Sequence, residues 1–182
     1  MPPFVRANAY DICVSHTTLN AFGALSLAVA DRMQEAMASV AGHGASGPAA
    51  LVALDGFAGG GTIDGLRRLL GITHSGTVRL VDRLAAAGLV ERRVGADARA
   101  VAVHLTPQGR RTARRVLAAR EAALEQTLAT LSATQREQLN SLLSELLQGF
   151  EASPEAARRI CRLCDVARCG HDRGTCPVTT RV

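Results

Sequence analysis

The fold is decided by one stretch of the chain, Gly71-Ile72-Thr73-His74-Ser75-Gly76-Thr77-Val78-Arg79-Leu80-Val81-Asp82-Arg83-Leu84. A short helical pattern from Thr62 to Leu70 precedes it and Gly71 interrupts that pattern, which predicts a helix, a tight turn and a second helix. Thr73 is placed to cap the second helix with its hydroxyl, and Gly88 is placed to end it. We predict a buried stripe on this helix, because apolar residues recur at intervals of three and four positions: Val78, Val81, Leu84 and Ala85.

The opposite face of this second helix carries side chains that suit the major groove of DNA. Small and hydrogen-bonding residues stand at its beginning and arginine follows one turn later, as expected of a recognition helix that enters the groove end-first. On this helix we predict DNA contacts from His74, Ser75, Gly76, Thr77, Arg79 and Arg83.

Two short strands are predicted next, Leu89 to Arg93 and Ala100 to Leu105, with a polar loop over 94–99 between them. A helix-turn-helix followed by a β-hairpin is a winged helix. The predicted fold class is therefore mainly α with a small β-hairpin wing. Arg92, Arg93 and Arg99 are predicted to add DNA contacts from this wing, with Arg99 at or near its tip.

Four motifs carry a family resemblance: Leu80-Val81-Asp82-Arg83-Leu84, Gly88-Leu89-Val90-Glu91-Arg92, Asp97-x-Arg99 and Leu105-Thr106-x-x-Gly109. Their order and spacing resemble the signature of the MarR family of bacterial regulators, and the resemblance covers Ala49 to Phe150. It implies a winged helix-turn-helix with a helical dimerisation layer. It also implies a homodimer that binds a pseudo-palindromic operator in double-stranded DNA.

The composition agrees with a helical, nucleic-acid-binding protein. Apolar residues make up 47% of the chain and aromatic residues only 3%, so the core must be built from Leu, Val and Ala, which favours helices. All 21 basic residues are Arg, which is also what a GC-rich genome would encode. Their placement is uneven, since 12 Arg but only three acidic residues lie between Arg67 and Arg120. The region from Glu121 to Glu155 has six Glu and one Arg. A basic block beside an acidic one is typical of a nucleic-acid interface.

We divide the chain into four parts. Residues 1–47 form an N-terminal arm, extended over 1–16, and a dimerisation helix from Thr17 to Val40. Residues 48–106 form the winged helix-turn-helix, which includes a supporting helix from Ala49 to Phe57. Residues 107–152 form two helices that the resemblance assigns to the dimerisation layer, one from Gln108 to Leu128 and a Leu-rich one capped by Ser132. Residues 153–182 form a Cys-rich tail.

The tail carries the spacing C-x2-C-x4-C-x6-C, formed by Cys161, Cys164, Cys169 and Cys176. A C-x2-C turn can place two sulfurs on one ion, and the following loops are long enough to close a site. An iron–sulfur cluster would take all four thiolates; the Cys176-Pro177 ending favours this cofactor. Zinc would take the four thiolates, or three of them with His171. Uncoordinated redox thiols are the third alternative.

The remaining features limit the function classes. No apolar run has membrane-spanning length and no secretory signal is present, so we expect a cytoplasmic protein without a membrane partner. Cys13 is interpreted as a small buried hydrophobe rather than a sensor. The leading hypothesis is a transcription regulator, a repressor rather than an enzyme, that is modulated by the tail site or by a small-molecule effector. The alternatives are a small metal or redox enzyme built on the cysteines, and a regulator whose zinc tail is purely structural.

Overall fold

The structure is a computed structural model that describes residues 9–56, 61–94, 101–150 and 153–178. Side chains are not described for residues 9–15, Val94, Val101 and Asp172. In chain order the elements are α1 (Ala9–Ala41), α2 (Ser46–Gly56), β1 (Gly61–Thr62), α3 (Ile63–Leu70), α4 (His74–Ala86), β2 (Val90–Val94), β3 (Val101–Leu105), α5 (Pro107–Leu128), α6 (Ala133–Gln148) and α7 (Pro154–Ile160), followed by a 3₁₀ turn (His171–Arg173).

The predicted winged helix is confirmed. Helices α3 and α4 form the helix-turn-helix, and β2 pairs antiparallel with β3 to form the hairpin, with Val90 opposite Leu105. The hairpin is extended by β1, which pairs with β3 so that Gly61 lies opposite Val103. The sheet order is therefore β1-β3-β2. The strand β1 was not predicted from the sequence.

The core is built from aliphatic side chains of the winged domain and of the helices that cover it. Helix α2 lies at its centre and is buried from Gly47 to Leu54. The largest fully buried side chains are Leu51, Leu80, Leu84, Val52, Val81, Val103, Val116 and Thr77. Because Val116 and Ala113 belong to this core, the first half of α5 packs with the winged domain.

Two predicted helix starts were wrong. Helix α1 begins at Ala9, so the extended conformation predicted over residues 1–16 does not hold for 9–16, and residues 1–8 lie outside the described part. Helix α2 begins at Ser46 rather than at the predicted Ala49. None of the described helices combines the length and the apolar character that crossing a bilayer requires.

Candidate nucleic-acid interface and cysteine cluster

The turn between α3 and α4 is formed by the residues that the sequence indicated. Gly71 ends α3 in the left-handed conformation, with φ of 66°, and its N–H donates to the Arg67 carbonyl. This backbone conformation suits glycine because it has no Cβ. Thr73 caps α4, since its hydroxyl oxygen accepts a hydrogen bond from the Gly76 N–H at 3.1 Å. The predicted cap is therefore confirmed.

Thr77 was predicted to contact DNA, but it is buried in the core. Its side chain is fully buried, and its hydroxyl donates to the Thr73 carbonyl at 3.0 Å. Position 77 lies on the same helix face as Leu80, Val81 and Leu84, all of which are buried. Thr77 therefore stabilises the first turn of α4 from inside the core.

The other predicted side chains of α4 are at its surface. His74, Ser75, Arg79 and Arg83 are exposed, and Gly76 is half-buried. Arg79 and Arg83 are four residues apart and so lie on one helix face. Neither forms a salt bridge within the described part of the chain. Both guanidinium groups are thus available to an external anion.

The predicted wing arginines are engaged with neighbouring carboxylates. Arg92 Nη2 lies 2.6 Å from Asp82 Oδ1, which links β2 to α4. Arg93 Nη2 lies 2.5 Å from Glu91 Oε1. Both arginine side chains are exposed, so these pairs orient the guanidinium groups more than they stabilise the fold. Arg99 lies outside the described residues.

A hydrogen-bonded junction fixes the wing to the end of α4. The Thr106 hydroxyl donates to the Gly88 carbonyl at 2.6 Å, and the Thr106 N–H donates to the Leu89 carbonyl at 3.0 Å. The same hydroxyl caps α5 by accepting from the Gly109 N–H at 3.0 Å. Gly88 has φ of 69°, as predicted for the residue that ends α4. The motifs Gly88-Leu89 and Thr106-x-x-Gly109 therefore form one structural unit.

Basic side chains continue along the beginning of α5. Arg110 Nη1 donates to the Leu105 carbonyl at 3.1 Å, which leaves it attached to the end of β3. Arg111, Arg114 and Arg115 are exposed. The positive surface therefore extends from α4 and the wing onto the first turns of α5.

The four tail cysteines are brought into one small cluster. Cys161 and Cys176 are buried, while Cys164 and Cys169 are half-buried. Cys161 and Cys176 pack with Ala157 of α7 and Val178, and Leu147 of α6 contacts the same cluster. A seven-residue helix such as α7 is too short to be stable in isolation, so this packing maintains it.

A glycine turn brings Cys169 close to Cys176. Gly170 and Gly174 both adopt positive φ, 82° and 67°, on either side of the 3₁₀ turn. The Thr175 N–H donates to the Gly170 carbonyl at 3.0 Å. A Cβ at Gly170 would lie 2.2 Å from Thr175 Oγ1, so only glycine fits there. The cysteine spacing is visible in the sequence, but these turn residues were not predicted from it.

The thiols of the cluster alter one another's proton affinity. A hydrogen bond from the Cys161 thiol lowers the pKa of Cys164 to about 7, and the Arg120 guanidinium acts in the same direction. The same hydrogen bond raises the pKa of Cys161. Burial raises the pKa of Cys169, which also shares a hydrogen bond with Cys176.

Proximity alone does not make this cluster a formed metal centre. Among the described residues, no three His, Cys, Asp or Glu side chains are arranged to hold a metal ion. His171, the alternative ligand, is exposed in the 3₁₀ turn, and its backbone N–H donates to Cys169. The side chain of Cys13 lies outside the described residues.

The tail packs across the winged domain, a feature that the sequence analysis did not predict. Leu163 joins the main core. Arg168 Nη1 lies 2.5 Å from Glu121 Oε1 on α5, and Arg68 Nε of α3 lies 3.8 Å from Glu155 Oε1 of α7. Leu147 of α6 contacts the tail, and α3 and α5 do so as well.

Comparison with known proteins is consistent with the motif evidence. A sequence model of the MarR family matches residues 48–100. The crystal structure of a probable transcriptional regulator from Pseudomonas aeruginosa is 31% identical, with 68% of this chain and 95% of that chain covered and a TM-score of 0.52. YusO from Bacillus subtilis is 23% identical; the match covers 79% of this chain and 100% of YusO, with a TM-score of 0.66. The apo form of MarR from E. coli is 24% identical; the match covers 69% of this chain and 96% of that MarR chain, with a TM-score of 0.58.

The winged helix-turn-helix, its exposed arginines and these comparisons define a transcription regulator. The chain belongs to the MarR family. Members of this family are transcription regulators rather than enzymes, which disfavours the enzyme alternative. No curated protein matches the chain.

Proposed function

We propose that this protein is a homodimeric repressor that places α4 in the major groove of a pseudo-palindromic operator. The observation that carries this proposal is the exposed face of α4, where Arg79 and Arg83 form no salt bridge with any described residue. Arginine at this position can bind guanine through two hydrogen bonds. A dimer bound over a promoter represses by excluding the polymerase.

The exposed apolar side chains support the dimer. On α1 they are Leu19, Phe22, Leu25 and Leu27, and on or just after α6 they are Leu142, Leu143, Leu146 and Phe150. Each of these residues is at least 43% exposed. No residue of α6 is buried within the protomer. Exposed large apolar side chains grouped on a helix mark an interface, and a second copy of the chain is the partner that family membership supports.

DNA binding is tested first on the arginines of α4. Duplexes selected from a random library by the wild-type protein supply the operator, and fluorescence anisotropy measures its affinity at fixed salt. We expect Arg79→Ala and Arg83→Ala each to weaken binding by about 1–3 kcal/mol per side chain. Arg136→Ala is the matched control, because it removes the same charge from the acidic helix α6. Wild-type affinity in both α4 variants would overturn the proposal.

We propose further that the cysteine cluster is a regulatory site for an iron–sulfur cluster or a zinc ion. Cys161, Cys164, Cys169 and Cys176 would hold either one, with His171 as an alternative zinc ligand. Cys161, Cys164 and Cys176 pack together and Cys169 shares a hydrogen bond with Cys176, which supports a thiolate site, and Arg120 lies close enough to Cys164 to offset negative charge. Rotation of the side chains would have to complete the ligand set, because no three donors among the described residues are arranged to hold an ion.

Two measurements on the purified protein separate these cofactors. A brown protein with visible absorption and bound iron carries a cluster, whereas a colourless protein with stoichiometric zinc carries the ion. Cys161→Ser with Cys164→Ser should remove either metal. Absence of both metals from protein purified without oxygen or chelator would contradict the metal site and leave free thiols.

A small effector is the second candidate for the modulator. A cleft of about 630 Å³ lies between α3 and the beginning of α7, within the size range of ligand pockets. Arg68, Glu155 and Arg158 contribute charged groups to its lining. A ligand there would contact both the helix-turn-helix and the tail, so it would be placed to change their packing.

A further inference from the structure

The tail contributes an arginine to the turn of the helix-turn-helix. A Cβ placed on Gly71 would lie 2.6 Å from Nη2 and 3.2 Å from Cζ of Arg159, so this guanidinium covers the turn between α3 and α4. Arg159 is exposed and is the sixth residue of α7. It is 88 residues beyond Gly71 in the chain, and only the packing of the tail brings the two together.

The surroundings of Arg159 are basic and open. It borders a cleft of about 500 Å³ whose other lining residues are Arg67, Arg68, Gly71, Ile72, Thr73 and Glu155. Arg67 and Arg68 are paired with Asp64, and Arg68 also lies near Glu155. The guanidinium of Arg159, by contrast, forms no salt bridge within the described part of the chain.

The position of this free charge indicates what it would bind. When a recognition helix occupies the major groove, the preceding helix and turn lie against the sugar–phosphate backbone. Thr73, which lines the same cleft, caps α4 directly before the predicted base-reading residues. Arginine suits phosphate because its planar guanidinium offers two parallel donors.

We propose that Arg159 contacts a backbone phosphate of the operator, so that the C-terminal tail is part of the DNA interface. This inference rests on the proposed function, namely that α4 binds DNA. Cys161 follows Arg159 by two residues, and its N–H donates to the Ala157 carbonyl at 2.9 Å, so the cysteine cluster begins where α7 ends. The fold of the cluster therefore positions the phosphate-binding side chain.

The test is the salt dependence of operator affinity, measured by fluorescence anisotropy on the library-selected duplex. For a dimer, Arg159→Ala removes two phosphate contacts, so the slope of log K against log salt should become shallower by about two. The loss should be similar on operator and on unrelated DNA, because phosphate contacts carry no sequence information. Arg159→Lys should keep a slope close to that of the wild type, since a Lys ammonium also binds phosphate.

Arg168→Ala is the matched control, because it removes the same charge from the tail on the side that faces Glu121 of α5. It should leave the slope unchanged. Circular dichroism melts establish that all variants are folded. An unchanged slope in Arg159→Ala would overturn the inference, even if affinity fell. If Arg79→Ala still weakened binding in that case, the proposed function would stand and only the role of Arg159 would fail.

Discussion

Gly109 shows how one residue can be fixed by backbone packing alone. A Cβ at this position would lie 1.9 Å from the Leu89 carbonyl oxygen and 3.1 Å from Leu105 Cδ2. The obstructing oxygen is backbone and already accepts a hydrogen bond from the Thr106 N–H. The glycine of the Thr106-x-x-Gly109 motif therefore permits the close approach of α5 to the end of α4.

We expect Gly109→Ala to destabilise the protein by about 1–3 kcal/mol, because the backbone around Leu89 must move to admit a methyl group. Urea unfolding followed by circular dichroism measures this difference. Gln108→Ala is the control, since Gln108 is exposed and such surface substitutions usually stay within about 0.5 kcal/mol. Equal stability of the two variants would show that the junction adapts freely.

Thr77 provides a second prediction about a single residue. Thr77→Val keeps the volume but removes the hydrogen bond to the Thr73 carbonyl, so stability should fall by about 1 kcal/mol. Operator affinity should stay close to that of the wild type, because the side chain is fully buried. A loss of affinity as large as that of Arg79→Ala, in a folded variant, would restore Thr77 to the DNA-contacting set.

The caps and the glycine stop could be predicted from sequence because they depend on local geometry. Thr73, Gly71 and Gly88 act on hydrogen bonds within a few residues of themselves. Thr77 was misassigned because a hydroxyl in the first turn of a recognition helix also suits DNA. Thr77 is assigned to the core only when Leu80 is included in the buried stripe, because the two residues lie on the same face of α4.

Among the elements, α5 and α6 were predicted well because their start signals are local. Ser132 caps α6 as expected, and α5 begins at Pro107, one residue before the predicted start at Gln108. The strand β1 was missed because it has only two residues, and its pairing with the distant strand β3 produces no pattern in the local sequence. The start of α1 was missed because the first helical residues lack an amphipathic period. Absence of that period does not exclude a helix.

Helix α6 offers a prediction at this scale, because its N-terminus has a complete capping box. Ser132 Oγ accepts from the Gln135 N–H at 3.3 Å, and Gln135 Oε1 accepts from the Ser132 N–H at 2.9 Å. Ser132→Ala should lower the stability of α6 by about 1 kcal/mol, seen as faster amide exchange in its first turns. Ser144→Ala, within the same helix, should not, since Ala is the better helix former. Equal exchange in both variants would contradict the cap's contribution.

In the whole molecule, the tail joins parts of the chain that no local pattern connects. A Cβ at Gly56 would lie 3.0 Å from Val166 Cγ2, Arg159 covers Gly71, and Arg168 pairs with Glu121. The two residues of each pair are separated by 47 to 110 positions in the sequence. The cysteine spacing could be predicted from the sequence, but the surface on which the tail packs could not. That surface depends on the completed tertiary fold.

For the whole molecule we also predict that the protein forms a dimer, and substitutions in α6 test this prediction. Leu146 is 51% exposed, and Leu142 and Leu143 are exposed beside it. If this face is buried against a second protomer, Leu146→Asp places an unpaired charge in an apolar interface, which costs at least about 3 kcal/mol. The dimer dissociation constant should then rise by roughly 150-fold or more, since about 1.4 kcal/mol corresponds to a factor of ten.

Sedimentation equilibrium at micromolar concentration measures this change directly. The variant should sediment as a folded monomer, and its operator affinity should fall, because a monomer engages only one of two half-sites. Ser141→Asp is the control: it adds the same charge to the same helix, but helical spacing places it opposite Leu143 and Leu146. A Leu146→Asp protein that remains dimeric would show that α6 is not the interface. The exposed residues of α1 would then be the surface on which two protomers meet.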